Sequence, residues 1–246
     1  MEGRQIMSEK EFKERLISLA GKTNINITDE NAETFYKYMN LLIEWNEKIN
    51  LTAIVEPNEI IIKHFIDSLI LEKYIKDNDS IIDIGTGAGF PGIPLKIQNS
   101  SLKVTLLDSL NKRVKFLNEI IGLLQLDNIE TVHGRAEDFG RAMKYRERYD
   151  VCTSRAVAKL NVLAEYMLPF VKVGGRCLCM KGPNVADEVK AAEKTVKLLG
   201  GEIMQTDTVF LPKKSGERTV IMLNKASSTQ NGFPRNTSKI SKEKIK

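Results

Sequence analysis

The run Asp83-Ile84-Gly85-Thr86-Gly87-Ala88-Gly89-Phe90-Pro91-Gly92-Ile93-Pro94 decides the fold. It continues a short apolar, β-branched stretch, residues 80–84, that is typical of a buried strand. The alternating glycines predict a tight turn in which the backbone can approach a ligand closely, because no Cβ intrudes. Ligands of doubly wound sheets bind at the carboxyl ends of the strands, so this turn is the predicted ligand site.

Residues 78–224 around this turn alternate between strand-like and helix-like patterns. The alternation predicts right-handed crossovers and an α/β fold with a doubly wound, mostly parallel sheet. Seven strands are expected, at residues 80–84, 103–107, 129–133, 149–153, 175–180, 203–210 and 218–224, with helical patterns near 92–98, 111–124, 158–171 and 185–199. Only residues 211–217 separate the last two strands. These strands should therefore form a hairpin that makes one strand antiparallel.

The two flanks differ from this central domain. Residues 1–77 are expected to form an N-terminal helical segment packed on it. A helix near 29–49, capped by Thr28 or Asp29, is predicted from apolar residues that share one face, namely Phe35, Met39, Leu42, Trp45 and Ile49. A second helix should begin around Pro57. Residues 225–246, rich in Ser, Thr, Asn and Lys, are expected to form a basic, flexible and unpaired tail.

The composition is that of a globular protein, with 246 residues, 42% hydrophobic and 28% charged. No apolar run approaches the ~20 residues that span a bilayer, and the polar start lacks the apolar part of a signal peptide. A cytoplasmic protein without membrane contact is expected. The net charge is +5, and residues 225–246 hold six basic residues and one acid, so the remaining chain is neutral. A basic tail suits a polyanionic partner, although a solubilising end is equally consistent.

A candidate cofactor site is formed by acids and glycines that follow the first three strands. Asp108 ends the second strand, where a carboxylate can accept the hydroxyls of a ribose. A dinucleotide is one possible ligand, because Gly87–Gly92 matches G-x-G-x-x-G. The alternation of Gly85, Gly87 and Gly89 favours S-adenosylmethionine (AdoMet) instead. Asp83, two residues before Gly85, also favours AdoMet, because its carboxylate could help to hold the methionine portion.

After the third strand, Ala136 and Glu137 could meet the adenine, although an ordinary helix start is equally plausible there. Three cysteines, Cys152, Cys177 and Cys179, are best interpreted as buried thiols, and no metal site is expected.

The end of the fourth strand indicates which atom is methylated. Residues 149–157 lack the Asn/Asp-Pro-Pro-aromatic loop that is usual in amine methyltransferases. Enzymes that methylate carbon 5 of pyrimidines need a cysteine nucleophile, typically preceded by proline, and no cysteine here follows a proline. Guanine N7 has a lone pair and no proton to remove. Catalysis would then need positioning alone, so no catalytic side chain is expected.

Arg155 could fix the substrate or brace the cofactor, or pair with Glu137 or Asp83. The candidate substrate contacts are His64, Arg113 and Lys181, although basic residues of this kind more often belong to solvated surfaces.

Several segments together resemble one family. They are HFIDSL at 64–69, DIGTGAGFPGIP at 83–94, LDSLNKR at 107–113 and SRAV at 154–157, within a likeness that runs from about residue 30 to 224. The chain resembles the RsmG (GidB) family of small-subunit rRNA guanine-N7 methyltransferases.

The resemblance implies a class I, Rossmann-like AdoMet methyltransferase that modifies 16S rRNA of the small ribosomal subunit. The sequence leaves the oligomeric state open, and nothing in it requires more than a monomer. It also implies that Gly85, Phe90, Ala136, Glu137 and Arg155 line the cofactor pocket. The alternatives are an AdoMet enzyme with another RNA, a protein or a small molecule as substrate, a non-catalytic AdoMet-regulated RNA-binding protein, and an NAD(P) oxidoreductase.

Overall fold

A computed structural model describes residues 7–155 and 157–242. Within that part, seven strands form one sheet in the order β3-β2-β1-β4-β5-β7-β6. The strands are Ser80–Ile84 (β1), Lys103–Asp108 (β2), Ile129–His133 (β3), Tyr149–Arg155 (β4), Val171–Lys181 (β5), Gly201–Phe210 (β6) and Glu217–Lys225 (β7). β7 runs antiparallel to both its neighbours, and the other pairings are parallel. The predicted fold class is confirmed, including the closing hairpin.

The helices occupy both faces of this sheet and the N-terminal segment. They are Glu9–Gly21 (α1), Asp29–Ile49 (α2), Pro57–Ile60 (α3), Asp67–Leu69 (α4), Gly92–Gln98 (α5), Asn111–Leu123 (α6), Ala136–Phe139 (α7), Leu160–Met167 (α8), Ala186–Leu198 (α9) and Thr237–Lys242 (α10). A π-helical stretch, Ile61–Ile66, joins α3 to α4. None of the helices in the described ranges is long and apolar enough to cross a membrane.

Two hydrophobic cores lie on opposite faces of the sheet. Side chains alternate along a strand, so Ile81 belongs to the core shared with α1, α2, α5 and α6, and Ile82 to the core shared with α8 and α9. Strands buried on both faces explain why β1 reads as an almost continuous apolar run. The first core includes residues of the N-terminal helices, which therefore pack directly against the sheet.

The helix boundaries agree with the sequence where local signals are strong. α2 begins after Thr28, whose hydroxyl accepts the N–H of Asn31 (3.1 Å), and α3 begins at Pro57. The pattern did not indicate that the second helix would widen into a π-helical stretch after Ile60. α7 was not among the predicted helical patterns, because four residues are too few to show a helical period, but a helix start at Ala136-Glu137 was the alternative interpretation of these residues.

The chain after β7 packs against the domain, so the expectation of an unpaired tail is wrong for residues 225–235. Lys225 is fully buried, with its Nζ donating to the Leu168 carbonyl (2.6 Å) and lying 3.2 Å from a Glu147 carboxylate oxygen. Residues 243–246 of the predicted tail lie outside the described residues. The sequence shows that basic residues cluster in the predicted tail, but it does not show which acids and backbone carbonyls they contact.

Arg235 anchors the C-terminal segment, defined as residues 226–236, onto α8. Its Nη2 lies 2.8 Å from Oε2 of Glu165, its Nε lies 2.9 Å from Oε1, and its backbone N–H donates to Oε1 (2.7 Å). Glu165 is almost completely buried. Arg141 and Arg146, which follow α7, donate to main-chain carbonyls of the same segment. The segment therefore supplies the counter-charge for a buried acid and ties α7 to α8.

We expect Glu165→Gln to lower the free energy of unfolding by up to roughly 3 kcal/mol, because it leaves a largely buried guanidinium without its counter-charge. Urea denaturation followed by circular dichroism measures the loss. Lys48→Ala is the control, since it breaks an exposed pair with Glu44 that should contribute at most about 0.5 kcal/mol. Equal losses in the two variants would contradict the anchoring role.

Candidate functional site

The turn after β1 adopts the left-handed backbone that its glycines predict. The φ angles are +66° at Gly85, +64° at Gly87 and +98° at Gly89. The N–H groups of Gly85 and Thr86 both donate to the carbonyl of Leu107 in β2, at 2.9 and 3.2 Å. A Cβ on Gly85 would lie 2.8 Å from Cγ2 of Val157. Glycine is therefore required at this position both by the backbone angle and by the close approach of the loop after β4.

Asp83 holds the turn from within the sheet. Its Oδ2 accepts the Thr86 hydroxyl (2.6 Å) and the Gly92 N–H (3.0 Å), and its Oδ1 accepts the Thr153 hydroxyl (3.3 Å). Complete burial raises the pKa of Asp83 to about 6 in spite of these hydrogen bonds. Asp83 is not among the residues that line the adjacent cleft. In this structure Asp83 shapes the turn, and a contribution to holding a methionine group stays a prediction.

Asp108 joins the turn to the end of β2. Its Oδ2 accepts the Gly87 N–H (2.9 Å) and lies 3.3 Å from Nη1 of Arg113, while its Oδ1 accepts the Leu110 N–H (2.9 Å). A carboxylate has about four lone-pair positions, so these three donors leave one on Oδ1. A ribose that donates both hydroxyls to Asp108 would have to displace one of them, and the Gly87 N–H belongs to the turn itself.

Ala136 and Glu137 start α7 directly after β3, beside the turn. The Gly134 N–H donates to the Asp108 carbonyl (3.0 Å), which brings the ends of β2 and β3 together. Gly134 is tightly packed, because a Cβ there would lie 2.2 Å from Cε2 of Phe139. Glu137 is buried, and its carboxylate lies 3.9 Å from Nη1 of Arg135.

These strand ends enclose a cleft of about 340 Å³. Four of the predicted cofactor residues line it, namely Gly85, Asp108, Ala136 and Glu137. Gly87, Phe90 and Arg155 lie outside that lining set, although Gly87 contacts Asp108 through its backbone. Tyr166 of α8 and Val157 also line the cleft, and the sequence analysis missed both. Their positions depend on how α8 and the loop after β4 fold back over the sheet.

Phe90 and Arg155 form a packed layer on the other side of the turn. The Arg155 guanidinium carbon lies 4.8 Å from the centre of the Phe90 ring, which also stacks on Tyr38 (5.5 Å). Nη1 of Arg155 donates to the carboxylate of Asp67 and to the Lys63 carbonyl, both at 3.1 Å. The acid that Arg155 contacts is therefore Asp67, in place of the Glu137 or Asp83 considered from sequence. Ala156, within the SRAV segment, lies outside the described residues.

His64 is buried in this layer. Its ring stacks on Phe90 with 4.4 Å between ring centres, and its Nδ1 lies 3.3 Å from Nη2 of Arg155. Nδ1 also lies 3.1 Å from the Lys63 carbonyl, so this ring nitrogen faces both a donor and an acceptor, while Nε2 lies 2.9 Å from the Thr52 hydroxyl. Burial and the charge of Arg155 lower the pKa of His64 to about 3. The imidazole is therefore neutral at physiological pH.

Arg113 and Lys181 lie at the same edge of the sheet and brace it. Arg113 contacts Asp108 and is one-third exposed, at 33%. Nζ of Lys181 contacts the Ala158 carbonyl and lies 2.6 Å from Oε1 of Glu188, which fixes the loop after β4 to α9. Contact of His64, Arg113 and Lys181 with the substrate stays a prediction.

The sequence of the chain matches one known family. The family described as "GidB: rRNA small subunit methyltransferase G" matches residues 31–220. Two relatives named ribosomal RNA small subunit methyltransferase G match nearly the whole chain. The Alkaliphilus oremlandii protein is 49% identical over 96% of this chain and 100% of its own length, and the Acetivibrio thermocellus protein is 50% identical over 97% and 100%.

A solved structure shares the fold at low identity. TYW2 of P. horikoshii, in complex with MeSAdo, superposes with a TM-score of 0.53 and 16% identity, covering 65% of this chain and 62% of that one. This likeness supports the architecture of the sheet and leaves the substrate open.

We expect Gly85→Val to reduce the affinity for S-adenosylhomocysteine at least about 100-fold, because the side chain fills the cleft wall against Val157. Isothermal titration calorimetry measures the affinity. Gly174→Val is the matched control, because Gly174 has a similarly left-handed φ of +85° but open space around its Cβ. Loss of binding in both variants, or in neither, would remove Gly85 from the cofactor site.

We expect His64 to make stability depend on acid pH. The pKa is about 3 in the folded protein and near 6.5 when unfolded, so the unfolded chain binds an extra proton between these values. Stability should therefore be fully present above about pH 6.5 and fall as the pH drops toward 3. In His64→Gln the slope should be shallower by up to about 1.36 kcal/mol per pH unit. Urea denaturation at pH 7, 6 and 5 tests this, and parallel pH curves would refute it.

Proposed function

This chain belongs to the rRNA small subunit methyltransferase G (GidB) family, and we propose that it methylates N7 of a guanine in 16S rRNA of the small ribosomal subunit, with AdoMet as donor. The observation that carries the proposal is the cleft at the carboxyl ends of β1, β2 and β3, with Asp108 in its wall. Ligands of such sheets bind beside the point where strand order reverses, which here lies between β1 and β4.

The residues of the cleft fit AdoMet. Asp108 keeps one lone-pair position on Oδ1 for a ribose hydroxyl, and its carboxylate is already oriented by the backbone of Gly87 and Leu110. Apolar side chains of Ile84, Leu107 and Val157 can pack against a flat purine. The left-handed Gly85 leaves the inner wall free of a Cβ. When bound, AdoMet supplies an electrophilic methyl group.

The side chains around the turn suit a reaction without proton removal. Guanine N7 attacks through its own lone pair, so the protein needs to hold the ring in line and exclude water. The neutral His64, with its low pKa and its engagement with Thr52 and Arg155, is a poor general base. Its stacking on Phe90 instead stiffens the wall beside the turn.

The expected partner is RNA, the kind of substrate that the names of the relatives specify. Arg113, Arg135, Arg155 and Lys181 follow or end β2, β3, β4 and β5 at the edge that carries the cleft, but each contacts an acid, so their charges are largely compensated there. The family match therefore carries the choice of RNA over a small molecule. We further propose that the protein acts as a monomer, because one chain supplies both hydrophobic cores. We also propose that it acts in the cytoplasm.

Methyl transfer from labelled AdoMet to small ribosomal subunits, free 16S rRNA and total cell protein tests this function. Digestion to nucleosides should yield label in 7-methylguanosine alone. Asp108→Asn should lose most of the labelling, because the ribose loses a charged acceptor that contributes roughly 1.5–3 kcal/mol. Label in protein, or in another nucleoside, would refute the assignment of guanine N7.

A further inference from the structure

The loop of the β6–β7 hairpin lies at the same edge of the sheet as the cofactor cleft. Lys181 at the end of β5 pairs with Thr219 near the start of β7, and Arg155 at the end of β4 pairs with Met180 of β5. Residues 211–216 therefore emerge beside the ends of β4 and β5. The function proposed above uses nothing from this loop.

A buried carboxylate fixes this hairpin relative to the methyl-transfer site. Asp67 receives Nη1 of Arg155 at 3.1 Å on one oxygen and Nε of Arg218, in β7, at 2.8 Å on the other. Only 3% of the Asp67 side chain is exposed. The same Arg155 nitrogen also donates to the carbonyl of Lys63 in the π-helical stretch. The contacts of Asp67 and Arg155 thus join the hairpin, the π-helical stretch and β4 at one place, which we call the Asp67 junction.

A cleft of about 430 Å³ opens on the solvent side of this junction. Its lining comes from the helical stretch and from the hairpin loop, and consists of Asn58, Glu59, Ile62, Lys63, Lys213, Lys214, Ser215 and Gly216. Lys213 and Lys214 are exposed, and neither forms an ion pair with any residue in 7–155 or 157–242. Lys63 is paired with Glu59, so the cleft keeps an excess of two positive charges.

The backbone of the loop is unusual at both of these lysines. The φ angles are +55° at Lys213 and +56° at Lys214, a conformation that side chains other than those of Gly, Asn and Asp rarely adopt. Two long cations are thus held outward on a strained turn that a shorter or more flexible residue would fit better. Strain of this kind is found where the placement of a side chain has a use.

We propose that the cleft formed by Lys63, Lys213 and Lys214 binds the phosphate backbone of the substrate RNA. This inference rests on the proposed function and assigns part of its RNA-binding surface. The charge of the cleft is complementary to phosphate, and the Asp67 junction holds the cleft at a constant position relative to Phe90 and the glycine turn. Phosphate contacts made there set the register of the RNA, while the guanine is read elsewhere.

The test is a double variant, Lys213→Asn with Lys214→Asn, because asparagine tolerates the left-handed backbone and removes both charges. Binding of a fluorescent fragment of small-subunit rRNA is measured by anisotropy at several KCl concentrations. We expect affinity to fall at least about tenfold and the slope of log K against log salt to drop by roughly 2, one unit for each lost phosphate contact. S-adenosylhomocysteine binding should be unchanged, which shows that the variant is folded.

The matched control is Lys194→Gln with Lys197→Gln. These two exposed lysines line another cleft, beside Gly200, at the opposite edge of the sheet. Removing them changes the net charge equally, so RNA affinity and salt slope should stay close to those of the unaltered protein.

Equal affinities and slopes in the two double variants would overturn the proposal. It would also be overturned if the Lys213/Lys214 variant bound RNA normally but methylated intact small subunits poorly, since the loop would then contact ribosomal protein. Failure of the proposed function gives a different result, in which the unaltered protein binds S-adenosylhomocysteine but methylates no rRNA. The anisotropy comparison would still decide whether the cleft binds RNA.

Discussion

Two carboxylates, each at the end of a neighbouring strand, hold the turn on which the site depends. Asp83 lies beneath the turn and accepts from Thr86 and Gly92, while Asp108 lies beside it and accepts from Gly87. A left-handed glycine loop has few contacts of its own, so its shape must be imposed from outside. Both acids belong to strands that are buried on two faces, so the turn is held by a closely packed part of the sheet. The part of the cleft formed by the turn and the strand ends is consequently built into the sheet.

The layer of Phe90, His64 and Arg155 extends this close packing to the N-terminal helices. Arg155 contacts the Phe90 face, the His64 ring and the Asp67 carboxylate at once, so β4 is joined to the π-helical stretch by one side chain. π-helical stretches are frequent at functional sites, and this one presents the Lys63 carbonyl and the His64 imidazole to Arg155, next to the acid that begins α4. The N-terminal helices therefore take part in shaping the site as well as in closing a core.

Local signals in the sequence predicted most of the fold and the heart of the cleft. Strand starts at Ser80, Lys103 and Ile129, the glycine turn and Asp108 follow from patterns within a few residues of one another. The ion pairs that complete the structure join distant residues. Asp67 and Arg155 are 88 positions apart, and Glu165 and Arg235 are 70 apart. Both acids interrupt apolar helical runs, and an acid in such a position is expected to be buried with a cationic partner. A single sequence does not show which arginine or lysine that partner is.

The anchoring of the C-terminal segment has a consequence for the order in which the protein can be completed. During synthesis, α8 leaves the ribosome long before Arg235 is added to the chain. Until then, the acid in α8 has no counter-ion, and the arginines after α7 lack the carbonyls that receive them. A nascent or shortened polypeptide thus exposes unmatched charge on the layer that closes the second core. A chain that extends through Arg235 supplies the missing partners, so this layer of the fold can close only after residue 235 has been added.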